Sequence, residues 1–171
     1  MKILPLLAGA GLTILLAGCS TTPLTLGPVG PNPSGSSNMS ATGELEVFSA
    51  LQKCRDGNEF DVNPAWYQHT DYTVYNLKRE RIKHVFNTVG HYAEAPCLIT
   101  LPSGEYLVQA QAQGYLRVTV PVVIEPGQTT RVHLDATWKP STQSPKMQLV
   151  STPSGYPVGW RPDPIKEIGV N

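Results

Sequence analysis

From Gly43 onward, apolar and polar residues alternate in short runs broken by turn residues, the period of two expected of half-buried strands. Within residues 105–112, Tyr106, Val108, Ala110 and Ala112 fall on one face, with Glu105, Gln109 and Gln111 opposite. The next run sets Leu116, Val118, Val120, Val122 and Ile124 against Arg117, Thr119 and Glu125. Pro121 has no N–H to give a sheet, so its place in that run predicts an edge strand or a bulge. A third run alternates Val132 and Leu134 with Arg131, His133 and Asp135. Residues 44–49, 72–77, 82–89 and 98–101 complete the set, joined by turns of sequence KRER, PSGE, QGY and EPGQ. No segment of this region carries a helical stripe of adequate length. The pattern predicts an all-β fold, a single Greek-key β-sandwich of about seven strands over residues 43–138, with a barrel as the alternative.

The flanks read differently. Residues 19–42 are dominated by Thr, Pro, Gly, Ser and Asn, which predicts a disordered linker holding the domain some 25 Å from its attachment point. Residues 139–171 form a Pro-rich, irregular tail whose one apolar island runs from Tyr156 to Arg161. That island is open to two readings, packing back as an extra edge strand, which is favoured, or staying free as a recognition segment. Charge is balanced, with 13 basic and 13 acidic residues, and the only basic run, Lys78-Arg79-Glu80-Arg81, reads as a solvated turn. No nucleic-acid footprint follows from it.

The first eighteen residues have the layout of an export signal: Lys2 gives the positive charge, and Ile3 to Leu16 is apolar but short for a membrane span. The segment Leu16-Ala17-Gly18-Cys19 resembles the lipobox of bacterial lipoproteins. That resemblance implies cleavage after Gly18, acylation of Cys19 and a lasting membrane attachment through two or more chains. Ser20 in place of an aspartate favours an outer-membrane destination, facing the periplasm or the cell surface.

A second resemblance concerns the domain. Leu101-Pro102-Ser103-Gly104-Glu105-Tyr106, Gly114-Tyr115, Val120-Pro121-Val122, Gly127-Gln128-Thr129-Thr130 and Val132-His133-Leu134 run as in PEGA-like and carboxypeptidase-regulatory-like domains, which are small transthyretin-like sandwiches. It covers residues 101–136 well and the earlier part loosely, and it implies an accessory module rather than a catalyst. The residues agree with it locally, since Gly104 permits a tight turn before a strand and Gly114 frees the chain for a bend.

With Cys19 committed to lipid, Cys54 and Cys97 are the remaining thiols, and an oxidising compartment predicts a disulfide between them worth about 4 kcal/mol. No CxxC spacing supports a metal-binding or reactive pair instead. His69, His84, His91 and His133 occur among Glu59, Asp61 and Asp71, and His69-Thr70-Asp71 is the nearest approach to a metal half-site. In alternating strands such histidines are expected as half-exposed surface residues, so neither a metal nor a cofactor is expected. There is no nucleophile elbow, phosphate loop or free Cys-His arrangement, and Glu59 and Asp61 read as solvated loop charge.

The expectation from sequence is therefore a non-catalytic, lipid-anchored cell-envelope protein, a structural or protein-interaction module. Its partners would be membrane lipid through Cys19 and an envelope protein, met through the sheet edge near Val120-Pro121 or through the tail. The alternative is a carbohydrate or cell-wall binding module that stacks glycan on Trp66, Tyr67 or Trp160. Trp138 is expected to close the domain.

Overall fold

The structure, a computed structural model, describes residues 23–32, 41–54, 66–90, 94–140 and 148–162. They form an all-β fold of twelve strands, β1 (Leu24–Thr25), β2 (Thr42–Phe48), β3 (Leu51–Cys54), β4 (Trp66–His69), β5 (Tyr72–Tyr75), β6 (Arg81–Val85), β7 (Leu98–Pro102), β8 (Gly104–Ala112), β9 (Tyr115–Ile124), β10 (Thr129–His133), β11 (Leu149–Ser151) and β12 (Pro157–Trp160). Each of the seven alternating runs contains a strand, although β5 ends at Tyr75 and β6 at Val85, short of the expected 77 and 89, and five further short strands raise the count above the seven expected.

Two sheets make the sandwich. The larger has the order β1-β9-β8-β5-β6 and the smaller β10-β2-β7, with β3-β4 and β11-β12 as separate two-stranded ribbons. Val74, Val108, Val118, Val120 and Val122 from the first sheet meet Leu45, Val47, Ile99, Leu101 and Val132 from the second in one buried cluster. Each of these side chains is at most 5% exposed, so each contributes about 1.5–3 kcal/mol of apolar burial. Gly104 and Gly114 both adopt positive φ, at 152° and 82°, where the turns before β8 and β9 require it.

The outward face of the smaller sheet is organised by register. β10 runs parallel to β2, pairing Glu44 with Thr129, Glu46 with Arg131 and Phe48 with His133. Each pair interacts: Thr129 Oγ1 donates to Glu44 Oε2 at 2.6 Å, Arg131 Nε donates to Glu46 Oε2 at 2.8 Å, and the Phe48 and His133 rings stack at 4.4 Å. Such cross-strand pairs fix the register that keeps Leu45, Val47 and Val132 inward.

Three sequence expectations are corrected. Residues 23–32, placed by composition in a disordered linker, lie along β9: β1 pairs with it in parallel, Val29 bridges to Val122, and Leu26 and Val29 are 8% and 0% exposed. β9 is consequently not an edge, and Pro121 marks an irregularity in its neighbour. Leu26 N donates to Thr119 O and Val29 N to Pro121 O, while Val123 N returns to Val29 O. A regular parallel ladder would ask Pro121 for an N–H toward Leu26 O, and there the chain bulges through Gly27-Pro28 before rejoining at Val29. The tail, expected to be irregular apart from one strand, contributes a hairpin: Val150 and Val158 of β11 and β12 are buried in the same core.

The third correction concerns the thiols, because Cys54 and Cys97 are both free. Cys54 ends β3 inside the β3-β4 ribbon, where its Sγ lies 3.4 Å from Gln68 Oε1. Cys97 precedes β7, packs against the main core and anchors its N–H on Asn87 Oδ1 at 2.9 Å. Pairing by elimination carries no information about Cα separation or side-chain direction, the two quantities a disulfide requires. Cys19, the export signal, Glu59, Asp61 and His91 lie outside the described residues.

Candidate functional site

The polar groups buried in this domain concentrate at the end where β2, β8 and β10 finish. Ser49, His69 and Asn87 are buried there, and Asn87 is the hub. Its Nδ2 donates to Val47 O at 2.8 Å and to Ser49 Oγ at 3.0 Å, its Oδ1 accepts from Cys97 N, and its own N–H reaches Asp71 Oδ1 at 3.1 Å. Ser49 Oγ donates to Thr70 O at 2.5 Å, and His69 Nδ1 lies 2.7 Å from Ser49 O. Because a carbonyl can only accept, Nδ1 carries the proton of His69.

A nucleophilic arrangement would set the serine hydroxyl on the imidazole. Here both groups are turned onto backbone carbonyls, and they bind the end of β2 to the β4-β5 turn. The His69-Thr70-Asp71 half-site is likewise dispersed: His69 is held by Ser49 O, while Asp71 Oδ2 lies 3.6 Å from His84 Nε2. Among the described residues no three His, Cys, Asp or Glu side chains converge as metal ligands would. Tyr72 Oη is buried without a hydrogen-bond partner, and burial first, then Cys97 and Glu46, push its hydroxyl well above the ordinary range.

A run of aromatic rings crosses the neighbouring face. His133 is sandwiched between Phe48 and Trp138, each at 4.4 Å, Phe48 meets His69 edge-on at 5.6 Å, and Trp138 meets Trp160 edge-on at 5.8 Å. Burial lowers the His133 pKa to about 4, against a smaller opposing effect of Asp135 and with minor help from Arg131 and His69. Trp138 thus closes the domain, and Trp160 joins it. Trp138 gives one ring face to His133, and half-buried Trp160 meets it edge-on. Trp66 and Tyr67 lie apart from this run, on β4, where adjacent residues point to opposite faces: Trp66 is half-buried and Tyr67 is 44% exposed opposite Lys53. The three aromatics predicted as one type of platform therefore occupy three different environments.

Sequence reasoning missed Asn87, Ser49 and Phe48. Phe48 does leave a trace, as an aromatic on the outward phase of a strand after Glu44 and Glu46. Asn87 leaves none, since its partners, Val47 O, Ser49 Oγ, Asp71 Oδ1 and Cys97 N, are brought to it only by the fold.

β6 of the larger sheet and β7 of the smaller each end a sheet with one neighbour, and β6 is the basic one. β5 covers one side of it and, among the described residues, nothing covers the other. Arg81, Ile82, Lys83 and His84 are all exposed, and Phe86 just beyond is 73% exposed with its ring edge-on to His84 at 5.1 Å. Together with Lys78 and Arg79 in the preceding turn, the edge is basic in a chain of balanced charge. The fold and this edge define the class: an all-β sandwich with one basic, unpaired strand and a tied-down N-terminal segment. No protein-family model matches the chain, and neither a curated protein nor a solved structure does.

Proposed function

We propose that this chain is a non-catalytic, lipid-anchored protein of the bacterial cell envelope, carried at the outer membrane by acylated Cys19, whose β-sandwich is a protein-interaction module. The observation that carries the interaction role is the β6 edge, with its free backbone groups and its exposed Ile82 and Phe86. The likeness of residues 101–136 to PEGA-like accessory domains supports the same reading. The edge near Val120-Pro121, expected from sequence to dock a partner, is occupied by the chain's own residues 24–31. Docking therefore moves to the other end of the sheet.

Its occupant is an extended segment of another protein that adds a strand to β6 and carries acidic residues against Arg81 and Lys83. A second copy fits poorly, because antiparallel pairing of β6 with itself would oppose like charges, the device by which edges resist self-association. The test is a photo-crosslinking amino acid at position 82 in living cells. A recurrent protein adduct that disappears in the double variant Arg81→Glu, Lys83→Glu supports the reading. Absence of a protein adduct, or one indifferent to charge reversal, removes it. Recovery of glycan instead would favour a carbohydrate-binding module.

A further inference from the structure

Leu116 has the inward phase of β9, shared with Val118 and Val120, yet it is 91% exposed. The β8-β9 pairing shifts register between Ala110 and Ala112, so the turn through Gly114 carries Leu116 out of the core. Arg117 beside it is also exposed. Among the exposed large apolar side chains, Leu116 is the barest; one such residue is ordinary, and it marks a covered surface only together with its neighbours at the same end.

Its place in the fold says by what. Leu24 pairs with Val118, and β1 runs parallel to β9, so the chain enters the sandwich at the end of β9 that bears Leu116. Only five peptide steps separate Leu24 from Cys19, a reach of about 17 Å at full extension. The β3-β4 ribbon leaves from this same end, since Ala50 N donates to Gln111 O, and it presents exposed Tyr67 opposite Lys53. Apolar, aromatic and basic side chains at one end are what a lipid headgroup layer accepts.

Resting on the reading of Cys19 as an acylated residue, we propose that the β8-β9 turn, with Leu116 inserted and Arg117 at the phosphates, is a membrane-contact site that seats the domain directly on the bilayer. The β5-β6 turn is diagonally opposite, three strand spacings or about 14 Å across the sheet from β9 and at the far end of the strands. Seating at Leu116 therefore sets the β5-β6 turn, with Lys78 and Arg79, away from the membrane, while β6 runs back toward the Leu116 end, where Val85 lies opposite Tyr72.

The experiment places a benzophenone amino acid at position 116, or at the exposed control position Leu77 in the β5-β6 turn, of the full-length protein in bacterial membranes. Intact-mass spectrometry after illumination reads both the acylation of Cys19 and any phospholipid adduct. An acylated protein that captures phospholipid from position 116 and not from 77 is the expected result. Acylated protein with no phospholipid adduct at 116, with equal adducts at both positions, or with a protein adduct at 116 overturns the contact site and leaves the lipid anchor standing. Protein without acyl chains overturns the anchor and the contact site together.

Discussion

Asn87 and Val47 are forty residues apart in sequence, and the Asn87 side-chain amide holds the Val47 carbonyl at 2.8 Å. The same side chain accepts from Cys97 N, so one buried residue joins β2 to the connection between β6 and β7. Asn87→Leu would leave Val47 O and Cys97 N buried without partners, and each such group costs about 1–3 kcal/mol. The expected loss is about 3 kcal/mol in chemical denaturation, and a loss below about 1 kcal/mol would show that water or backbone shifts replace the amide.

Val29 tests the packed N-terminal segment. It is fully buried against β9 and approaches Gly159 of β12, where an added Cβ would meet Val29 Cγ1 at 2.5 Å. Val29→Ala should destabilise the domain by about 2 kcal/mol through lost burial and the cavity left behind. A residue in a linker would give no change in the unfolding midpoint.

Acid should weaken the fold through His133. Its pKa of about 4 lies below the ordinary value of 6.5, so the unfolded chain takes up the proton first as pH falls. The contribution is complete above about pH 6.5 and is lost progressively as pH drops through 4, to a total of order 3 kcal/mol. His133→Phe keeps a ring between Phe48 and Trp138 and should flatten the denaturation midpoint across that window. An unaltered pH profile would place the titration elsewhere.

Gly43 and Gly114 separate close approach from backbone freedom. A Cβ on Gly43 would come within 2.2 Å of Glu125 O and 2.9 Å of Ile124 Cγ2, so Gly43→Ala must push β2 away from the β9-β10 turn, at about 3 kcal/mol or more. At Gly114 nothing lies within 4 Å of the added atom, and only the positive φ is strained. Gly114→Ala should cost about 1 kcal/mol. Comparable melting temperatures for the two variants would contradict this account.

How much of this was legible in the sequence depends on what stabilises each part. β2 and β5 to β10 announce themselves because a half-buried strand writes its burial as alternation. β3 does not, as Leu51-Gln52-Lys53-Cys54 has no apolar face and forms through its ladder with β4. The segment through Leu24, Leu26 and Val29 is lost in an average over prolines and glycines, although two of its three apolar residues are buried. At the polar end, His69 and Asp71 were visible as residue types. His69 is held by Ser49 O and Asp71 by Asn87 N, backbone atoms that residue identity does not reveal, and Asp71 also faces His84 rather than His69. The thiols fail for a related reason: a count of cysteines carries no geometry.

The partners Leu24 and Val118 are separated by more than half the length of the chain. A polypeptide that emerges from its N-terminus must therefore hold residues 24–31 unpaired until β9 has been made and has found β8. Loop closure over such a span is slow compared with the local hairpins. Residues 24–31 thus belong to a late stage of folding, and the β1-β9 ladder closes only after the local hairpins β5-β6 and β8-β9 have formed.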